Sequence, residues 1–232
     1  MELTLYLGDY AYSSWSLRGW LLLDAFGVSF QQRYAHMRTD DFETLRAEMA
    51  PSRLVPALKI ADQHGERVVW ETMAIAETVA EMFPDAGHWP ADPADRALAR
   101  TLVAEMHAGF TALRGACPMN MRRAYSGFEV DADVRADLDR LSALWAHARS
   151  ARRSEGPFLL GAFSAADAFY APVASRIATY GLEMPEADLA YVAAVLAHPS
   201  VQRWYAMARA DDHVQAHYEL DLADRPNPHD QG

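Results

Sequence analysis

Two adjacent hydroxyls, Ser13 and Ser14, stand between a short alternating segment and an apolar stretch that begins at Trp15. A hydroxyl at a helix N-terminus has free backbone N–H groups and the positive end of the helix dipole beside it, which favours a bound anion. The same position also suits plain helix capping. Further on, Val55 precedes Pro56 and is therefore held extended. Glu71 and Thr72 open another helical stretch, where capping is again the simplest role. His36 and Arg38, and also Arg53, are cationic candidates for a small anion, and each would serve equally as a solvated surface residue. His107 and Arg114 lie seven residues apart, so on one helix they share a face. With Met119 they form a polar, Met-rich wall that could oppose Tyr10, Tyr12 and Trp15 across a pocket, although a lone helical His or a Met group more often simply packs.

The elements that must position these residues follow from periodicity. Residues 2–7 alternate polar and apolar as a strand does, and Trp15 to Phe26 keeps helical spacing up to a terminating Gly27. Val28 to Tyr34 reads as a second strand, and Asp40, Asp41 and Glu43 suit the first turn of a helix reaching Met49. Two strands joined by a turn at residues 62–66 follow, then a helix from Thr72 to Phe83. Strand, helix, strand, helix, strand, strand, helix implies an α/β unit of thioredoxin type over residues 1–83. Residues 84–92 read as a linker, and Asp92-Pro93 is a strong helix start. From 93 to 232 the pattern is all-helical, with candidates at 94–113, 133–153, 165–180, 186–196 and 200–209 and a polar, mobile tail from Asp224.

The chain carries 21 Lys and Arg against 32 Asp and Glu, a formal charge of −11, which argues against nucleic acid or an anionic membrane as partner. A single cysteine, Cys117, precludes an intramolecular disulfide and fits a reducing, cytoplasmic setting. No apparent signal peptide or membrane-length apolar run stands in the sequence. No histidine pairs at strong ligand spacing; His213 and His217, four apart, read as an incidental surface pair, and no metal is expected.

Four segments together resemble the glutathione transferase superfamily. Tyr12-Ser13-Ser14-Trp15-Ser16-Leu17-Arg18 is similar to the serine motif of its zeta-like, bacterial-type members. Leu54-Val55-Pro56-Ala57-Leu58 resembles the family's Val-Pro-x-Leu, whose proline is cis. Trp70-Glu71-Thr72-Met73-Ala74-Ile75 resembles Glu-Ser-x-Ala-Ile, and Phe163-Ser164-Ala165-Ala166-Asp167 resembles the capping motif of the helical domain. Each is weak alone; the order and spacing of all four cover nearly the whole chain.

The resemblance implies a serine-type transferase with glutathione as co-substrate. Ser13, or Ser14 if the loop is shifted by one, would stabilise the thiolate for attack on a small hydrophobic electrophile, in a homodimer with a detoxifying role. Val55 and Pro56 would pair with the cysteinyl backbone, Glu71 with the γ-glutamyl ammonium and Thr72 with its carboxylate, while His36 or Arg38 would meet the glycine carboxylate. A free thiol has a pKa near ~8.5. Lowering it by ~2 units requires roughly 2.7 kcal/mol. One hydrogen bond to a charged group plus a dipole contribution of ~0.3–1 kcal/mol can supply that. Two departures stand out. Trp15 replaces the zeta-like cysteine, which argues against an isomerase using that thiol, and Leu54 replaces a frequent Lys or Arg. Without Cys-x-x-Cys, thioredoxin-type redox chemistry is excluded. A non-catalytic glutathione-binding module and a glutathione-dependent isomerase or reductive lyase remain as competing readings.

Overall fold

The computed structural model describes residues 1–227. Four strands, β1 (Glu2–Leu7), β2 (Gln31–Tyr34), β3 (Ala57–Asp62) and β4 (Gly65–Trp70), form one mixed sheet in the order β2-β1-β3-β4. β1 runs parallel to β2 and antiparallel to β3, and β3 pairs antiparallel with β4. The helices α1 (Ser14–Asp24), α2 (Asp40–Glu48) and α3 (Thr72–Met82) complete this α/β unit. The remainder is helical: α4 (Pro93–Ala108), α5 (Thr111–Ala116), α6 (Ala132–Ala151), α7 (Ala165–Tyr180), α8 (Glu186–Leu196) and α9 (Pro199–Ala210). The chain thus has a thioredoxin-like N-terminal unit and an all-α C-terminal unit.

Helix α7 is the axis of the second unit. It is buried nearly all round, and its alanines let α1, α4 and α8 approach it closely. Its start is a capping box: the Ser164 amide and hydroxyl donate to the Asp167 carboxylate at 2.8 and 3.0 Å. Leu159 N and Tyr191 Oη add two more donors, at 3.2 and 3.0 Å. Even so, burial pushes the Asp167 carboxyl up to about 6.

Several boundaries differ from those read in the sequence. β2 begins at Gln31 because residues 25–28 wrap the end of α1: Gly27 takes a φ of 67°, and Val28 N donates to Leu23 O at 3.1 Å. The helix expected over 94–113 is two helices, broken at Gly109 and Phe110, the latter at a φ of 58°. The residues expected to link the units are pinned, with His88 Nε2 2.8 Å from Leu22 O and Ala165 N donating to His88 O at 2.8 Å. The expected tail falls partly on residues 228–232, outside the described residues. Its start is held: Asp224 bridges to Tyr125, and the Arg225 guanidinium donates to Tyr125 O and Ala178 O. Among the described residues no helix is long and apolar enough to cross a membrane.

Gly19 marks where α1 meets the loop before β3. A Cβ there would lie 2.6 Å from Pro56 Cγ and 2.7 Å from Pro56 Cβ. Helix propensity favours alanine by about 1 kcal/mol, whereas overpacking costs about 1–3 kcal/mol. Gly19→Ala is therefore expected to lower the unfolding free energy in a denaturant titration. A variant more stable than the parent would mean that the contact relaxes freely.

Candidate functional site

β1 delivers the chain to a turn at residues 8–12, and Ser13 then caps α1, its Oγ accepting from Ser16 N at 3.2 Å. The Ser13 and Ser16 hydroxyls lie 2.8 Å apart, and Gly8 N donates to Ser16 Oγ at 3.0 Å. Ser13 Oγ donates to Ser16 Oγ, which also accepts from the Gly8 amide. A hydroxyl proton rotates to suit its partners, so the Ser13 proton can turn from Ser16 to a ligand in the cavity. Ser14, the first residue of α1, has no hydroxyl partner among the described residues. Both serines are buried, at 6% and 9% exposure, yet line a cavity of about 670 Å³ between the two units.

A second cavity of about 290 Å³ adjoins the first, and Trp15, Arg53, Leu54 and Val55 line both. Val55 and Pro56, joined by a cis bond, lie along its floor with Glu71 and Thr72. Glu71 has a φ of 67°, a conformation that costs a non-glycine residue of order 1–3 kcal/mol and so needs support from its surroundings. Glu71 makes no cap bond to α3, against the capping alternative, which leaves the first amides of that helix without a side-chain acceptor. Thr72 is only 2% exposed, and its hydroxyl has no partner among the described residues. A buried hydroxyl of that kind carries a desolvation cost that an acceptor entering the cavity would offset.

The far wall comes from the helical unit. Thr111, Arg114, Gly115, Pro118, Met119 and Arg176 line the larger cavity. Trp15 stands between the Arg18 guanidinium, 4.4 Å from its ring centroid, and that of Arg114 at 4.9 Å. Its indole also packs against His107, at 5.0 Å, and His107 Nε2 approaches the Glu71 carboxylate at 3.6 Å. Burial, with Arg18 and Arg114 nearby, lowers the pKa of His107 against the opposing pull of Glu71. His107 and Arg114 do not share a helix face as expected, because the Gly109–Phe110 break separates them. The Arg114 guanidinium instead donates back to Gly109 O and His107 O at 3.2 and 3.4 Å.

The remaining expected residues divide. Arg38 and Met119 line the larger cavity, as does Tyr12. The Tyr12 hydroxyl is already committed, donating to Glu219 at 2.5 Å and accepting from Arg122 at 2.5 Å. Burial, followed by the Glu219 bond, pushes it up to about 12, so it holds its proton. Tyr10 and His36 are not brought to either cavity. Tyr10 stacks on Tyr34 at 4.1 Å and meets the edge of Trp204. His36 binds the Asp211 carboxylate at 3.0 Å and stacks on His213. Cys117 is buried, and burial pushes its thiol up to about 12, which leaves it unreactive.

Arg176 and the segment that straps the cavity, with Tyr218 stacked on Tyr12, were missed from sequence. The signal for Arg176 was the one basic residue in the small, apolar run 165–180.

A family model for the glutathione S-transferase N-terminal domain matches residues 12–82, and one for its C-terminal domain matches residues 95–206. Among solved structures, a glutathione transferase homolog from Burkholderia gl BGR1 with bound glutathione is 25% identical over 91% of this chain and 100% of that one, with a TM-score of 0.66. Omega 3C glutathione transferase from Trametes versicolor is 23% identical over 88% and 89%, at 0.65. Maleylacetoacetate isomerase from Anaeromyxobacter dehalogenans 2CP-1, with glutathione in its active site, is 23% identical over 90% and 97%, at 0.64. No curated protein matches the sequence.

The Thr72 hydroxyl gives a clean test of the cavity's character. Thr72→Val keeps the shape and removes an unsatisfied donor, so unliganded stability is expected to stay level or rise by up to about 1 kcal/mol. A loss above about 1 kcal/mol in chemical denaturation would show that the hydroxyl is bonded in the folded protein.

Proposed function

Because this chain belongs to the glutathione S-transferase superfamily, whose co-substrate is glutathione, we propose that it is a serine-type transferase that ionises the glutathione thiol at Ser13 and directs it at an electrophilic carbon. The observation that carries this reading is the pair of serine hydroxyls at the start of α1, open to a cavity continuous with the Val55–Thr72 floor. Glutathione's extended backbone suits that floor, with Val55 pairing its cysteinyl amide and carbonyl. Thr72 and the uncapped start of α3 suit the γ-glutamyl carboxylate, and Glu71 its ammonium. Arg38 and Arg53, rather than His36, are then the cations for the glycine carboxylate, since His36 is held by Asp211.

The thiolate is stabilised by one donated hydroxyl bond together with the positive end of α1. No general base is required, because the thiol proton leaves to solvent. Ser14, beside Ser13 on the same cavity, supports the sulfur as a second donor. Tyr12 does not take that role, since its proton points to Glu219. The family membership also supports a homodimer, and the cysteine usage a cytoplasmic setting.

Steady-state conjugation of glutathione to an activated chloronitroarene tests the reading, with the thioether product identified by mass. Thr72→Val is expected to raise KM for glutathione about tenfold or more with little change in kcat. Ser13→Ala is expected to lower kcat/KM at least about tenfold at neutral pH. Glutathione bound without any thioether formed would favour a non-catalytic glutathione-binding module. Glutathione returned unchanged beside an isomerised substrate, or oxidised, would favour the isomerase or the reductive lyase.

A further inference from the structure

The larger cavity is cationic in a chain whose formal charge is −11. Arg114 and Arg176 stand on its helical wall, Arg38 and Arg53 on the opposite one. None of these four has a carboxylate within ion-pair distance among the described residues, whereas Arg46 on the same rim is paired with Glu43. Arg176 is 4% exposed, and among the described residues its hydrogen bonds go to backbone carbonyls: Nε to Cys117 O at 2.8 Å and Nη1 to Pro172 O at 3.3 Å. Arg18, fully buried behind Trp15, donates to Phe169 O and Ser14 O, and its Nη2 has no partner among the described residues. Carbonyls satisfy hydrogen bonds but leave the net charge of Arg18, Arg114 and Arg176 uncompensated. Burial first, then Arg176 and Arg114, depresses Arg18, while burial and then Arg114 bring Arg176 down to about 10. A purely apolar electrophile would leave that cost in place, and an anionic one would offset it.

We propose that the second substrate carries a carboxylate, or another anion of similar size, seated against Arg114 and Arg176 while its electrophilic carbon faces the serine pair. This narrows the hydrophobic electrophile expected from the sequence, and it rests on the transferase reading above. Apolar contact remains for the rest of the substrate, from Met119, Pro118 and the Trp15 ring. Arg38 and Arg53 stay with glutathione's glycine end, on the wall that also carries Val55.

4-Chloro-3-nitrobenzoate and its methyl ester share one reacting centre and differ in charge. In either, the glutathione sulfur forms the C–S bond at C4 and chloride leaves with the bonding pair, the thiol proton going to solvent. The acid is expected to exceed the ester in kcat/KM by about tenfold or more, after division by the uncatalysed rates, as one charge-assisted bond allows. Arg114→Gln should bring that ratio to about unity, and Arg114→Lys should keep most of it, in variants shown by circular dichroism to be folded. Parity, or preference for the ester, overturns the proposal while leaving a working transferase. A preference that survives Arg114→Gln overturns the assignment to Arg114. Should neither compound react, calorimetry with the two finished conjugates decides: tighter binding of the carboxylate supports the anion seat although the transferase reading has failed, and equal affinity overturns the seat.

Discussion

Helix α1 has almost no face left to solvent: the sheet covers one side, α7 another, and residues Ser14 to Leu23 are nearly all buried. Leu17, Leu21, Leu22 and Leu23 have no exposed surface, and Arg18 Nε reaches across to Phe169 O in the other unit at 2.9 Å. A helix fixed in this way cannot shift its N-terminus without moving both units. The Ser13 cap, the Gly8–Ser16 contact and the Gly19–Pro56 contact all follow from that placement. The serine end of the site is therefore preorganised by core packing, while the loop before β3 supplies the Val55–Pro56 floor.

Charge is what the core concedes to the site. Arg18 and Arg114 flank Trp15, and Arg176 stands buried further along α7, where a stability-driven sequence would place apolar side chains. Glu71 at positive φ and the unpartnered Thr72 hydroxyl are further local costs on the same groove. Two acidic residues serve instead to fasten the C-terminal strap, residues 211–219. Asp211 and Glu219 hold the C-terminal strap down through Tyr34, His36, Tyr12 and Arg123. Arg122 binds Tyr12 and the strap's own carbonyls.

Much of this was legible in the sequence for local reasons. Strand alternation, the Asp92-Pro93 start and the Ser164–Asp167 box are short-range signals, and α7 and α8 were bounded to the residue. The Ser13-Ser14, Val55-Pro56 and Glu71-Thr72 segments carry their roles in a few adjacent residues, so resemblance could find them. What failed depends on distant partners. Phe110 breaks a helix by taking a left-handed conformation that its type does not advertise. Tyr10 and His36 were turned away by Tyr34, Trp204 and Asp211, up to some 190 residues distant in the chain. The arginine cluster likewise assembles side chains from α1, α5 and α7, and no single stretch displays it.

The central claim is that the start of α1 holds glutathione as a thiolate, and the ultraviolet absorbance of that thiolate, titrated against pH with saturating protein, tests it most directly. The account predicts a midpoint well below the free value of about 8.5, moved back toward it by Ser13→Ala and less by Ser14→Ala. Glutathione that binds with an unshifted midpoint would contradict it.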